Sequence, residues 1–289
     1  MTAALFLSSP LLAAAGVRHG FSLRAGGVSA APFDTLNLSR AVGDEAEAVA
    51  ENLRRLSRAA GLDGADSLAT VKQVHGDRVL LAGAGGVFDE LFAPSEPEAR
   101  AVSGETRVAL SGAAGASASP PGAAPEQEAD ALISATPGLA AAVRVADCTP
   151  ILLWAPSLRA AGAVHSGWRG ARLGIAGRGA QALIARGASA NELVAAVGPC
   201  IGRCCYVVSR ELAASFRVLF GAAVADDPDA TATPHLDLRA CAASALARAG
   251  VLERQIEQVP GCTACSPELF FSHRRDRGRT GRHLAFIAP

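Results

Sequence analysis

Leu139-Ala-Ala-Ala-Val-Arg-Val145, Ile151-Leu-Leu-Trp154 and Ala160-Ala-Gly-Ala-Val-His165 decide the fold. Short apolar runs bounded by turn residues read as buried strands rather than helices. The break Asp147-Cys148-Thr149-Pro150 separates the first from the second. Working upstream, Val17 to Leu23 reads as a strand, with a turn at Ala25-Gly26-Gly27-Val28. Asp44 and Glu47 stand as N-cap and N3 of a capping box, opening a helix that runs to about Ala60 and stops at Gly61. Ala69 to His75 is the next expected strand, with Val71, Gln73 and His75 on one face, and Val79 to Leu81 continues the pairing.

Downstream, Gly170 to Ala185 has helical spacing and ends near Gly187. Leu193 to Val197 is a strand closed by Gly198-Pro199. Ser209–Phe220 and Asp237–Ala249 read as helices, Ile256–Val259 and His283–Ile287 as closing strands. The expected class is α+β or mixed α/β: one domain over residues 1–289, with mixed sheets flanked by helices. Residues 83–127 differ in composition. They are rich in Ala, Gly, Ser, Pro and Glu and are expected to form a mobile surface insertion that builds no core. There is no Gly-rich dinucleotide fingerprint, no P-loop and no solenoid repeat.

Composition narrows the function. Half of the 289 residues are hydrophobic and the net charge is zero, so a nucleic-acid partner is not expected. No charge-free apolar run is long enough to span a bilayer, so no membrane partner is expected either. Ala3 to Ala15 mimics a signal-peptide core, but it lacks a basic start and Pro10 interrupts it. Seven cysteines, an odd number clustered late in the chain, suit a reduced cytoplasmic setting better than a disulfide framework. Lys72 is the only lysine, three residues before His75, and is read as solvated charge. Nothing in the sequence sets an oligomeric state.

Three segments carry the chemistry. His75 in Gln73-Val74-His75-Gly76, Cys148 in the Asp147–Pro150 break and His165 in Ala163–Gly170 each follow an expected strand. One Cys and two His form a three-ligand set that leaves a fourth position open, as in catalytic zinc sites. Asp147, charged at the end of an apolar run, needs a partner and could orient a ligand, although this segment taken alone reads more simply as an inert buried Cys148 beside a loop-exposed Asp147. Trp168 offers a flat apolar wall for a base, and Arg169 a forked anion clamp. Arg274 and Arg275, after Phe270-Phe271-Ser272-His273, are candidates for binding phosphate bidentately. Cys200, Cys204, Cys205, Cys262 and Cys265 form a second possible cluster: Cys262-Thr-Ala-Cys265 has the gap of a zinc knuckle whose partner would have to be Cys200 with Cys204, but buried free thiols are the simpler reading.

The chain resembles the laccase-domain proteins, also called the multicopper polyphenol oxidase family, whose members are now often named purine nucleoside phosphorylases. The resemblance runs nearly end to end. It rests on His19-Gly20-Phe21-Ser22, Gly26-Gly27-Val28-Ser29, Leu36-Asn37-Leu38, Gln73–Gly76, Ala146-Asp147-Cys148, His165–Gly170, Gly198-Pro199-Cys200-Ile201-Gly202, Cys204-Cys205-Tyr206, Leu236-Asp237-Leu238, Cys262-Thr263, Phe271–Arg275 and Thr280-Gly281-Arg282. It implies a fold comparable with Cys-His toxin hydrolases and a zinc held by His75, Cys148 and His165. It further implies a cytoplasmic enzyme whose small-molecule partners are a nucleoside and phosphate. That enzyme would cleave adenosine, inosine, guanosine and 5′-methylthioadenosine with phosphate and deaminate adenosine, with Asp147 expected to handle a proton.

Two other readings stand beside this one. In the first, Cys148 is a nucleophile with His165 as its base, acting on an amide such as a cell-wall precursor. In the second, the protein binds nucleosides without turning them over. Copper could displace zinc and give a phenol-oxidising side activity.

Overall fold

A computed structural model describes residues 4–83, 88–94 and 127–289. Its strands are β1 (Phe6–Leu7), β2 (Arg18–Ser22), β3 (Leu68–Ala69), β4 (Val79–Ala82), β5 (Phe88–Phe92), β6 (Ala131–Ser134), β7 (Ala140–Val145), β8 (Thr149–Ala155), β9 (Ala160–Ser166), β10 (Val194–Val197), β11 (Ile256–Gln258) and β12 (His283–Ala288). The α-helices are α1 (Pro10–Ala14), α2 (Ala46–Ala59), α3 (Trp168–Arg172), α4 (Ile175–Ala185), α5 (Arg210–Phe220) and α6 (Leu238–Arg248). Two mixed sheets result. One runs β1-β2-β12-β7-β3, the other β11-β10-β8-β9-β6-β4-β5.

The sheets pack face to face between helices. Phe21, Val143, Ala285 and Ile287 of the first meet Leu80, Leu132, Leu152 and Ala163 of the second. The outer face of the larger sheet, including Ile133, Ile151, Leu153 and Val164, is covered by α4 and α6 through Ile175, Ala180, Leu183 and Leu246. The outer face of the smaller sheet, including Ala142, Leu284 and Phe286, meets Leu36, Leu38 and Leu56. Strands β8 and β9 are therefore buried on both faces. That is why they read as continuous apolar runs rather than as alternating ones. Among the described residues, no helix is long and apolar enough to cross a membrane.

Several local expectations need correction. The strand expected over Ala69–His75 ends at Ala69, because the chain leaves the small sheet there and crosses to β4 in the large one. His75 has φ 61°, incompatible with a strand. The helix expected over Gly170–Ala185 is two helices, broken where Gly174 takes a left-handed conformation. Asp44 does not cap α2. The N-cap is Glu45, without a side-chain cap bond. Asp44 Oδ2 instead accepts from Ser29 Oγ at 2.6 Å and Asn37 Nδ2 at 2.9 Å, so tertiary partners outcompete the local cap. Within the expected insertion, Phe88–Phe92 is a strand paired antiparallel with β4; most of the remainder lies outside the described residues. The N-terminal apolar stretch is folded into the domain: β1 pairs with β2, and Leu12 of α1 is fully buried.

Candidate metal centre

The three candidate ligands meet at one end of the sheet pair. His75 lies in the crossing from β3 to β4 and Cys148 in the crossing from β7 to β8, so each sits where the chain changes sheets. His165 is the penultimate residue of β9. Both crossings turn sharply through left-handed backbone, at His75 and at Asp147 (φ 86°). Non-glycine residues adopt this conformation at a cost and often do so at functional sites.

One donor atom from each of His75, Cys148 and His165 lies within 4.8 Å of the others. Cys148 Sγ is 3.7 Å from His75 Nε2. Tetrahedral zinc with ordinary Zn–S and Zn–N bonds would hold such a pair about 3.6 Å apart. The two imidazoles meet edge to face, their centroids 4.8 Å apart. Gly167 makes the convergence possible, since a Cβ there would stand 2.9 Å from His75 Cδ2 and 3.1 Å from Cys148 Sγ. The donor set and its spacing fit a divalent zinc ion.

Asp130, fully buried, organises two of the three ligands. Its Oδ1 accepts from His165 Nδ1 at 2.8 Å and from the His75 amide at 2.9 Å. Its Oδ2 accepts from the amides of Gly76 at 2.6 Å and Val74 at 3.3 Å. Because Nδ1 of neutral His165 must carry the proton to donate, its Nε2 presents a lone pair. Burial opposes charge on Asp130, but His165 and the amides of Gly76 and His75 keep its pKa below the ordinary value. Gln73 anchors the same loop, pairing its amide with the Arg144 backbone at 2.7 and 2.8 Å as a strand residue would.

Without a cation, Cys148 and His165 polarise each other. Burial alone would raise the thiol, but the His165 imidazole outweighs it and brings Cys148 down to about 6. Burial alone would lower His165, yet the Cys148 thiolate and Asp130 hold it up at about 10. The thiolate is also the form that binds metal.

Asp147 orients neither histidine. Its Oδ1 accepts from Thr263 Oγ1 at 2.5 Å and its Oδ2 from the Arg274 amide at 2.6 Å, tying the two C-terminal loops to the Cys148 corner. Asp130, which the sequence did not single out, is the carboxylate that hydrogen-bonds His165 and the His75 amide. Trp168, half-buried, packs against the apolar cluster that includes Tyr206, and the Arg169 guanidinium lies over the Trp168 ring at 4.8 Å. Arg274 stacks over Tyr206 at 5.2 Å and donates to the Val207 carbonyl at 3.1 Å. Arg169 is exposed, as is Arg274. Arg275 donates to both carboxylate oxygens of Asp276 at 2.8 Å, to Thr263 O at 2.8 Å and to Phe270 O at 3.0 Å. Its guanidinium is thus bound into the loop scaffold.

Two further residues join the rim. Burial lowers the pKa of Arg282, which feels the charges of Cys148 and Asp147. Burial and the charge on Arg282 lower His273, with Asp147, His75 and Arg274 also in electrostatic reach. The motifs containing both were visible in the sequence, but nothing there gave their distance from Cys148. Lys72 pairs with Glu128 at 2.7 Å on the surface, both more than half exposed, as solvated charge does. Hollow size would misplace the site: surface hollows of about 570 Å³ beside Leu5, Phe6, Gly26 and Arg55 and of about 600 Å³ beside Ala243, Arg248 and Gln258 contain none of these residues.

Comparison with known proteins gives the family and the fold. Residues 18–289 match the family described as multi-copper polyphenol oxidoreductase laccase. A Mycobacterium tuberculosis protein named purine nucleoside phosphorylase is 36% identical over 273 residues, covering 94% of this chain and 91% of the relative. A Deinococcus radiodurans protein of the same name is 36% identical over 283 residues, covering 97% and 91%. The crystal structure of YlmD from Geobacillus stearothermophilus superposes with a TM-score of 0.78 at 29% identity, covering 98% of both chains.

Proposed function

The chain belongs to the multi-copper polyphenol oxidoreductase laccase family, and on that premise we propose that it is a zinc-dependent purine nucleoside phosphorylase. The observation that carries this reading is the open three-donor centre of His75, Cys148 and His165 beside a cationic rim of Arg169, Arg274 and Arg282. The names of the relatives support it. The substrates we assign are adenosine, inosine, guanosine and 5′-methylthioadenosine, together with inorganic phosphate. Reduced thiols throughout the described chain suit a cytoplasmic enzyme.

His75 Nε2, His165 Nε2 and Cys148 Sγ would hold the ion. When bound, zinc supplies Lewis-acid polarisation of a substrate or water atom. Asp130 fixes the tautomer and direction of His165 and the amides of the His75 loop. Arg274 and Arg169, whose charges both act on Tyr206, hold the phosphate. We assign Arg275 and Asp147 to positioning, because their polar atoms are committed to the C-terminal loops. In phosphorolysis a phosphate oxygen bonds to C1′ of the ribose as the C1′–N9 bond breaks. The electron pair leaves on the purine, which takes up a proton, and ribose 1-phosphate remains. Adenosine deamination, in which water replaces the six-amino group and ammonia departs, is assigned to the same centre.

The histidine inventory supports this over a multi-copper oxidase. Of six histidines, His19 and His283 accept backbone hydrogen bonds in the core and His235 pairs with Asp226. Beyond His75 and His165 only His273 is left, too few for several copper centres. Copper bound in place of zinc at this one centre would suit a minor phenol oxidation.

The test is release of adenine from adenosine by purified protein. It should require phosphate and be lost on chelation and in Cys148→Ala. Full turnover after complete metal removal contradicts the reading. A second reading rests on the Cys148–His165 pair, which in metal-free protein has the polarisation of a cysteine nucleophile and its base acting on an amide. It predicts a trappable acyl-thioester on Cys148, whereas a ligand cysteine is shielded from alkylation by bound metal.

A further inference from the structure

A second group of soft donors lies outside this centre. Cys204 and Cys205 follow β10, and Cys262 and Cys265 follow β11. These strands are parallel neighbours, Val197 opposite Gln258, and a bridge between Cys200 and Cys262 prolongs the pairing. The two turns are therefore delivered side by side. One sulfur from each of Cys204, Cys205, Cys262 and Cys265 lies within 4.8 Å of the others. Cys200, which the sequence grouped with them, is left out: it is buried at the bridge, and Cys205 takes its place.

Core packing does not explain this group. Cys200 and Cys241 are fully buried singly, and burial pushes each thiol up to about 12, as expected of inert core cysteines. Cys204 and Cys265 are exposed, yet their sulfurs are 3.4 Å apart, and Cys205 Sγ is 3.2 Å from Cys265 Sγ. Cys265 thus has two equally near partners, where a disulfide would need one. The Gly202 amide donates to Cys262 Sγ at 3.2 Å, and the Cys265 amide also bonds it, both favouring a thiolate. Gly202 is a close-approach position, because a Cβ there would stand 3.1 Å from Cys204 Sγ and 3.3 Å from Cys262 Sγ.

We propose that Cys204, Cys205, Cys262 and Cys265 form a second, closed zinc site with four sulfur ligands. In a regular tetrahedron with ordinary Zn–S bonds the sulfurs are about 3.8 Å apart, inside the span seen here. Binding of the ion releases the thiol protons to solvent, with no change of redox state. All four positions are filled by protein, so the site takes no substrate. Its work is to staple two turns. Thr263, between Cys262 and Cys265, donates to Asp147 Oδ1, and the Ile201 amide donates to the Asp147 carbonyl at 2.9 Å. Both turns thereby hold the corner that presents Cys148. The proposal does not depend on the phosphorylase reading.

The experiment uses full-length protein, reduced, loaded with zinc and freed of excess. Metal per chain is measured by elemental analysis, and thiols are mapped by alkylation and mass spectrometry. Wild type should hold two zinc ions, and Cys148→Ala one. In Cys148→Ala, zinc should protect Cys204, Cys205, Cys262 and Cys265 from alkylation, and chelation should expose them. Cobalt in that variant should give the strong charge-transfer absorption of several thiolates. Cys204→Ser/Cys265→Ser should keep one ion with the weaker band of a single thiolate. If the double variant does not fold, the Cys148→Ala arm still decides. Zinc-free Cys148→Ala with four reactive thiols, or a disulfide at Cys265 in the zinc-loaded protein, overturns the proposal.

Discussion

Asp130→Asn isolates the organising carboxylate at nearly constant size. Asp130 is fully buried and accepts four hydrogen bonds, from His165 Nδ1 and the amides of Val74, His75 and Gly76. An Asn keeps one acceptor oxygen and presents an NH₂ group in place of the other. If its oxygen serves His165 and His75, the NH₂ faces the amide donors of Gly76 and Val74. Each buried donor left unpaired costs about 1–3 kcal/mol, so with two of them the metal-free protein should lose roughly 2–6 kcal/mol. Removing an outer-sphere partner of a metal-bound histidine typically weakens metal binding by about 10–100-fold. Here the same change also loosens the His75 loop, so the upper part of that range is expected. Zinc affinity would be read by competition with a chromophoric chelator, and stability by urea unfolding of the metal-free form. Wild-type zinc affinity in Asp130→Asn would refute the claim that Asp130 aims the ligands. Unchanged stability would refute the hydrogen-bond count.

Four other outcomes follow. Gly167→Ala should weaken zinc binding by an amount comparable to loss of an outer-sphere partner, about 10–100-fold, because its Cβ meets both His75 and Cys148; a chelator titration checks this. Arg275→Ala should lower stability by about 2–3 kcal/mol by leaving the Thr263 and Phe270 carbonyls without this donor. Arg169→Ala should change stability by less than about 0.5 kcal/mol and raise KM for phosphate, so unfolding and kinetics together separate scaffold from rim. His283 is buried and accepts from the Phe271 amide at 2.7 Å; burial lowers its pKa to about 3. The folded state therefore binds fewer protons than the unfolded one between about pH 6.5 and pH 3. Its contribution is present above pH 6.5 and is lost as pH falls, with a slope of up to about 1.4 kcal/mol per unit. His283→Gln, which keeps an acceptor but does not titrate, should flatten that slope in urea midpoints measured from pH 7 to pH 4.

The sandwich interior was legible in sequence because β8 and β9 are buried on both faces and so read as unbroken apolar runs. The three residues of the candidate centre stood out for a related reason: His75, Cys148 and His165 punctuate such runs, and the fold brings them together. Asp130 was not, because its role depends on partners 35 and 55 residues away, brought together only when β6 pairs with β9 and β4. The strand ending at Ala69 was overextended because Val71, Gln73 and His75 keep a strand's period of two, whereas in the fold only the Gln73 side chain, not the backbone, pairs with Arg144. Phe88–Phe92 was hidden inside a compositionally poor region, where average composition masks a short strand. The choice of Cys205 over Cys200 is set by the register of one turn, which spacing alone does not encode.

The central claim is that His75, Cys148 and His165 grip one ion and leave a position open. The most direct measurement is an anomalous difference map across the zinc absorption edge from crystals of the zinc-loaded protein. The account predicts a peak about 2.3 Å from Cys148 Sγ and about 2.0–2.1 Å from an imidazole nitrogen of each histidine, absent from crystals of Cys148→Ala. A zinc-loaded crystal with no peak among those three atoms, or a peak there that survives Cys148→Ala unchanged, contradicts it.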